Sequence, residues 1–357
     1  ESATANVGFQ LDRITQPGGG FTPPGGGFTP PTNPPVVPPP PPPGGQSLQV
    51  ILELVVIDET GIPINNLAAS DFTMLACTPV AGTPSECVRS PTDAAFDAPY
   101  TPTSATPALA SFSVVPPQAP VPYAAAMLLD QSGSIGDSDP TDARVFASKV
   151  FLERLGASDR VTLGVFAEGR GTLIPTSPLT RYGDFTADGA SLFDELDRLP
   201  TLEGGFTPLY SALDQMIQYA ATAPAGSRKA VVVFTDGEDT ICLDPLTTCR
   251  NRSINLAKTS GVNIFTVGLG TAVDTESLTL LSSGTGGIHL VASNPQQMIS
   301  IFGSLGNLLS GSVATYRATW TINSGANTFL TGRTVLGTIN VRAGTRTIVL
   351  PFEYRVP

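Results

Sequence analysis

Five oxygen-bearing side chains stand out by type and spacing. Asp130, Ser132 and Ser134 alternate in DQSGS, directly after the apolar run YAAAMLL. Thr207 stands in LEGGFTPLYSAL just ahead of a helix-like segment, and Asp236 follows the apolar run of VVVFTDGED. All five offer oxygen, three of them as neutral hydroxyls. Such a set suits a hard cation of the Mg2+ type, which takes near-octahedral oxygen at ~2.0–2.1 Å and keeps some of its water. Taken alone, Asp-x-Ser-x-Ser reads better as a helix N-cap or a serine-rich turn. Thr207 and Asp236, each at the end of an element, tip the reading towards a metal.

Other chemistry is sparse. The chain of 357 residues has one histidine, His289, in GGIHLVAS on an expected late strand away from the metal loops. A structural histidine fits that position better than a general base. No Gly-x-Ser-x-Gly elbow or P-loop occurs, so we expect a binding protein and not an enzyme. The net charge of −11, three lysines and the lack of any basic cluster argue against nucleic-acid binding. Near the five residues, Glu203 either tunes the rim of the site or faces solvent. Glu238 and Asp239 are expected to make that rim acidic.

The elements that must position these residues alternate between residues 121 and 311. Apolar strands are expected at Ala124–Leu129, Val161–Phe166, Ala230–Phe234, Val262–Val267 and Ile288–Val291. Between them lie helix-like DARVFASKVFLERL, ASLFDELDRL, PLYSALDQMIQYA, SINLAKTS and PQQMISIFGSLGNLL. Strands alternating with helices give a doubly wound, Rossmann-like α/β sheet with parallel strands. TLIPTSPLT (172–180) would add a short antiparallel edge strand. Ligands of such sheets bind beyond the carboxyl ends of the strands, where strand order reverses. The site residues belong at that edge.

Flanking this region, the pattern is β. LQVILELVVID, DFTML and SFSVV precede it, and ATYRATWTI, RTVLGTINV and TRTIVLPFEY follow it. Either group alone is thin for a sheet, and together they make a sandwich's worth. We expect one discontinuous β-sandwich domain, 47–120 and 312–357, carrying the α/β domain 121–311 as an insert. Residues 16–46 hold GGGFTPPGGGFTPP and an unbroken proline run, a Gly/Pro-rich tether in which proline stiffens the chain into polyproline II. Ahead of it, in residues 1–15, NVGFQLDRIT alternates like a strand with no neighbour nearby. It is either a disordered terminus, a strand folded back onto the chain's own sheet, or one that self-associates through residues 6–14 by strand addition.

The four cysteines form two close pairs, Cys77/Cys87 and Cys242/Cys249, neither of them Cys-x-x-Cys. Two local disulfides, each worth roughly 2–3 kcal/mol, fit better than a zinc site, with free thiols as the alternative. Disulfides imply an oxidising compartment. No apolar run reaches the ~18–20 residues of a membrane span. The start at Glu1 fits a secretion signal already removed, and we expect an extracellular or cell-surface protein.

DQSGS, GGFTPLYSAL and VVVFTDGEDT, in that order within one α/β region, resemble a von Willebrand factor A domain over roughly 121–311. KVFLERLGASDRVTLGVFAEG and GVNIFTVGLGT resemble its first helix-strand unit and its penultimate strand. The resemblance implies that Asp130, Ser132, Ser134, Thr207 and Asp236 form a metal-ion-dependent adhesion site for Mg2+, or for Mn2+ or Ca2+. The three hydroxyls would ligate directly and the two carboxylates through water, and an Asp or Glu of a protein partner would complete the shell. Asp137 stands at the spacing of an acidic residue that serves a second metal site in integrin-type relatives; its ordinary role is a helix-dipole partner. VVIDETGIPINNLAASDFTML resembles β-segments ahead of this domain in secreted bacterial proteins. By the family's layout the β-domain and tether form a stalk with the metal at the tip. The function implied is metal-dependent adhesion; the alternative is a structural subunit of a surface appendage, assembled through the N-terminal strand and β-domain.

Overall fold

The computed structural model describes residues 6–15, 47–58, 62–76, 88–89, 107–168, 178–269, 274–292, 295–323 and 334–355. In chain order the first strands are β1 (Asn6–Thr15), β2 (Ser47–Ile57), β3 (Phe72–Ala76), β4 (Val88–Arg89) and β5 (Ala108–Val115). The alternating region holds β6 (Tyr123–Asp130), β7 (Arg160–Phe166), β8 (Thr180–Thr186), β9 (Arg228–Thr235), β10 (Val262–Leu269) and β11 (His289–Ala292). Its helices are α1 (Ile135–Ser138), α2 (Ala143–Leu152), α3 (Phe193–Arg198), α4 (Leu209–Ala220), α5 (Leu246–Ser260), α6 (Thr275–Ser283) and α7 (Pro295–Ser310). The chain closes with β12 (Thr315–Asn323), β13 (Thr334–Ala343) and β14 (Arg346–Arg355).

Every residue of β6 is buried, as a central strand covered on both faces must be. Ala125, Met127 and Leu129 enter one core with α2, α3 and α7, while Ala126 and Leu128 enter a second core with α4, α5 and α6. The strand order is β11-β10-β9-β6-β7-β8, parallel except for β8. The protein is thus a mixed α/β structure with a mostly parallel sheet flanked by helices. From β6 the chain winds outward through β7 and then returns to β9 on β6's other side. The carboxyl ends of β6 and β9 therefore lie at a switch point, and they carry Asp130 and Asp236.

The edge strand β8 starts at Thr180, the last residue of the expected 172–180 segment, of which 172–177 lie outside the described residues. β7 takes Arg181 and Tyr182 opposite Gly164 and Leu163, and the register then slips before Val161 meets Thr186. Gly183, at φ 72°, sits in that slip, a left-handed conformation that favours glycine.

The flanking strands form antiparallel ladders in two sheets, β5-β12-β2 and β14-β13-β3, with β4 on β13. Leu52, Leu54 and Val56 of β2 and Tyr316, Ala318 and Trp320 of β12 share one core with Phe72, Met74, Ile339 and Val341. Phe72 packs against Tyr316 and Phe112 at ring distances of 5.2 and 5.3 Å. The Tyr316 hydroxyl donates to Ile64 O at 2.7 Å and accepts from Leu67 N at 3.1 Å, so the loop before β3 is pinned too.

The N-terminal strand folds onto the chain's own sheet. β1 pairs antiparallel with β2 from Asn6↔Ile57 to Thr15↔Gln49 and meets β11 at Phe9↔His289. It fuses the antiparallel and parallel ladders into one ten-stranded sheet. A strand in that slot meets the backbone hydrogen-bonding needs of two sheet edges at once.

Candidate metal site

Asp130 ends β6 fully buried. Its Oδ1 accepts Ser132 N at 2.8 Å, closing a tight turn, and its Oδ2 accepts the Thr235 hydroxyl at 2.6 Å. Burial pushes its carboxyl up to about 7, with the neighbouring Asp236 charge adding to the rise and the Thr235 and Ser132 hydrogen bonds opposing it. Asp236, just past β9, is served by two serines: Ser134 donates to Oδ1 at 2.9 Å and Ser138 to Oδ2 at 2.6 Å. The Ser132 and Ser134 hydroxyls lie 3.2 Å apart. Four of the five sequence-expected residues thus touch one another. Thr207 is tied instead to the loop that follows Asp236: its N–H donates to the Thr240 hydroxyl at 2.9 Å and its carbonyl accepts Thr240 N at 3.0 Å. Its own hydroxyl makes no hydrogen bond among the described residues, although Thr207 is 5 % exposed.

The loop ahead of Thr207 is stitched to the first loop. Gly204 N donates to Gln131 O at 2.9 Å, and Gly133 N donates to Gly205 O at 3.1 Å. Gly205 adopts φ 83°, which a side chain would strain.

Acidic neighbours divide by role. Asp137 is exposed on α1, with no side-chain hydrogen bond or ion pair among the described residues. Asp139 is buried and accepts Ala143 N and Arg144 N at 2.8 and 3.0 Å, serving the start of α2. Asp239 is not on the rim as expected. It turns inward and accepts Tyr210 N, Ile241 N and Cys242 N at 2.7, 2.8 and 2.7 Å, anchoring α4 and the next loop. Those three backbone donors need an acceptor more than the surface needs a charge. Glu238 is exposed, its carboxyl raised by partial burial and then by Asp274. Glu203 faces neither rim nor solvent alone; it pairs with Arg144.

Sequence reasoning passed over Thr235, Ser138, Gln131 and Arg144. Thr235 and Ser138 were readable as the polar residues beside Asp236 and at the end of α1. Arg144 carried no signal, since a lone arginine in an amphipathic helix normally faces water.

A disulfide joins Cys242, in the loop before α5, to Cys249 in the first turn of α5, and Cys77 and Cys87 lie outside the described residues. His289 is buried in mid-sheet with Nδ1 2.8 Å from the Thr266 hydroxyl, and burial lowers its pKa to about 3. Among the described residues no three His, Cys, Asp or Glu side chains gather as a metal cluster. The donors here are instead two carboxylates and a set of hydroxyls. They fit a hard cation because the buried Asp130 lies beside a second carboxylate and, among the described residues, no lysine or arginine pairs with either. No described helix is long and apolar enough to cross a membrane.

A doubly wound domain with an oxygen-rich cluster at its switch point defines a class of binding domain. The sequence profile of the von Willebrand factor type A domain matches residues 126–303, and this part of the chain belongs to that family. Among solved structures, the chain is similar to a von Willebrand factor type A protein from Catenulispora acidiphila, at 14 % identity and TM-score 0.45, covering 69 % of this chain and 72 % of that one. It is similar to the pilus adhesin SpaC from Lactobacillus rhamnosus GG at 11 % identity and TM-score 0.45, covering 87 % of this chain and 46 % of that one. It is also similar to the manganese-loaded TRAP protein of Plasmodium vivax at 15 % identity and TM-score 0.39, covering 69 % and 96 %. No curated protein matches.

Proposed function

We propose that this is an extracellular, surface-tethered binding protein that adheres through Mg2+ to a protein partner offering an Asp or Glu. Ser132, Ser134 and Thr207 would hold the ion through their hydroxyls, and Asp130 and Asp236 would orient its water. The ion's chemistry is that of an electrophile only partly neutralised by two carboxylates, attractive to a third from outside. The observation that carries this reading is the Ser132–Ser134–Asp236 contact chain beside a buried Asp130 that has no basic partner among the described residues. The Cys242–Cys249 disulfide supports an oxidising compartment. We take residues 47–120 and 312–357 as one β-sandwich domain carrying the 121–311 domain, with 16–46 as tether, and Asp137 as the residue a second ion would use. The role is binding and not catalysis: His289, the chain's one histidine, is buried in mid-sheet against Thr266.

The test is partner capture from native surroundings. A partner held in Mg2+ and lost both in EDTA and with Ser134→Ala supports metal-bridged adhesion. A partner indifferent to both assigns binding to the β-region instead.

A second reading, assembly of copies through the N-terminal strand, is favoured by one mismatch. β1 and β2 are adjacent and antiparallel, with Thr15 opposite Gln49, yet 31 residues (16–46) connect them. A hairpin needs ~2–5. The surplus would let β1 occupy the same slot in a neighbouring copy. Oxidising the double variant Val7→Cys/Val56→Cys, a register pair, would give cross-linked dimers on a denaturing gel if strands are exchanged, and only monomers if they are not.

A further inference from the structure

One arginine side chain joins both loops of the candidate site. Arg144, in the first turn of α2, has no exposed surface. Its Nη1 donates to Asp139 Oδ2 at 3.0 Å and Asp142 Oδ1 at 3.1 Å. Its Nη2 donates to Gln131 Oε1 at 2.9 Å and to Glu203 Oε1. Gln131 lies between Asp130 and Ser132, and Glu203 lies four residues before Thr207. The planar fork of a guanidinium can hold such partners in fixed directions, which an ammonium cannot.

Three further features converge there. Asp142 is the one non-glycine residue with positive φ, 52°, among the described residues, and its carboxylate faces Arg144. Strained backbone persists where the surroundings over-determine it. A Cβ on Gly136 of α1 would come within 3.2 Å of Glu203 Oε2, so this helix, which Ser134 precedes, packs on the same carboxylate. The Gly204–Gln131 and Gly133–Gly205 backbone bonds lie alongside. Buried ion pairs contribute little net stability compared with apolar packing; what this one supplies is fixed geometry between two loops.

We infer that the Arg144–Glu203 pair is a latch, a positioning device that holds the Thr207 loop in register with Ser132 and Ser134 before any ligand arrives. The inference rests on the metal reading for its functional consequence, but its mechanical content stands on the geometry alone. With the latch closed, the three hydroxyls are pre-spaced and a cation is bound without ordering a loop.

Glu203→Gln keeps the shape of the side chain and removes its charge. Mg2+ affinity is read by isothermal titration calorimetry, thermal stability without metal by Tm, and loop opening by amide hydrogen exchange at Gly133 and Gly204 in metal-free protein. The variant is expected to bind Mg2+ about 10-fold more weakly, in line with the loss of groups that support metal ligands, with Tm nearly unchanged and exchange at both amides faster. Arg144→Lys, a charge without the fork, should likewise weaken Mg2+ binding and speed exchange at both amides, with a lower Tm because buried partners lose their donors. Unchanged affinity and unchanged exchange in Glu203→Gln would overturn the latch, as would a fall in Tm with affinity intact. If the wild-type protein and Ser134→Ala both fail to bind Mg2+, the metal reading is lost, and the exchange rates alone then decide the latch.

Discussion

Two acidic clusters lie side by side at the carboxyl edge of the parallel sheet and are treated in opposite ways. Asp139, Asp142 and Glu203 converge on the guanidinium of Arg144. Among the described residues, Asp130 and Asp236 receive only hydroxyls and a backbone N–H, from Ser132, Ser134, Ser138 and Thr235. The first cluster carries its own cation and is closed. The second keeps a buried carboxyl whose pKa is pushed up to about 7 by burial and a like charge, a state that a cation from solution would relieve. The chain thus supplies its own cation to the first cluster and, among the described residues, none to the second.

The largest effect is expected at the closed cluster around Arg144. Arg144→Met leaves three carboxylates around an apolar chain, and we expect about 3–5 kcal/mol of destabilisation, the cost of breaking a buried ion pair from one side. Urea unfolding checks this; a loss under ~1 kcal/mol would mean that water already serves those acids. At the open half, Ser134→Ala removes a hydroxyl that bonds Asp236. Mg2+ affinity should fall at least ~10–100-fold with the unfolding midpoint barely moved, as calorimetry and a parallel melt would report.

Two smaller effects separate the site from its scaffold. Replacing Cys242 and Cys249 by serine opens a loop of sequence separation 7 and should cost roughly 2.5 kcal/mol by loop entropy, without altering Mg2+ affinity. His289 gives the pH dependence. Its folded pKa, near 3, lies below the unfolded value of 6.5, so the unfolded chain binds the extra proton. Stability is full above pH 6.5 and is lost as pH falls towards 3; between pH 6.5 and 5.5 the loss is about 1 kcal/mol. His289→Gln should flatten that slope in chemical denaturation at stepped pH. Smallest of all, Asp137→Ala should change Mg2+ affinity less than ~3-fold if a single ion is bound, since an exposed charge acts weakly through water.

The same contrast explains what the sequence reveals. The open half is legible because its residues follow apolar strands at fixed offsets: Asp130 after YAAAMLL and Asp236 after VVVFT. The closed half is not, because Arg144 and Glu203 are 59 positions apart and nothing local marks either as buried. Helix α6 was missed for another reason: TESLTLLSS is rich in Ser and Thr, poor helix formers, and only Asp274, whose side chain accepts Ser277 N at 2.9 Å, announces it. β1 shows the limit of periodicity. Its alternation reads as a strand, but its partners begin beyond a 31-residue Gly/Pro-rich segment, and pattern carries no address.

The most direct measurement is the anomalous signal of Mn2+ soaked into crystals of the protein. One strong peak is expected within about 2.0–2.3 Å of the Ser132 and Ser134 hydroxyl oxygens, lost in Ser134→Ala crystals. A peak centred on Asp137 or Glu238 instead, or none at all in a well-ordered site, would contradict the metal reading.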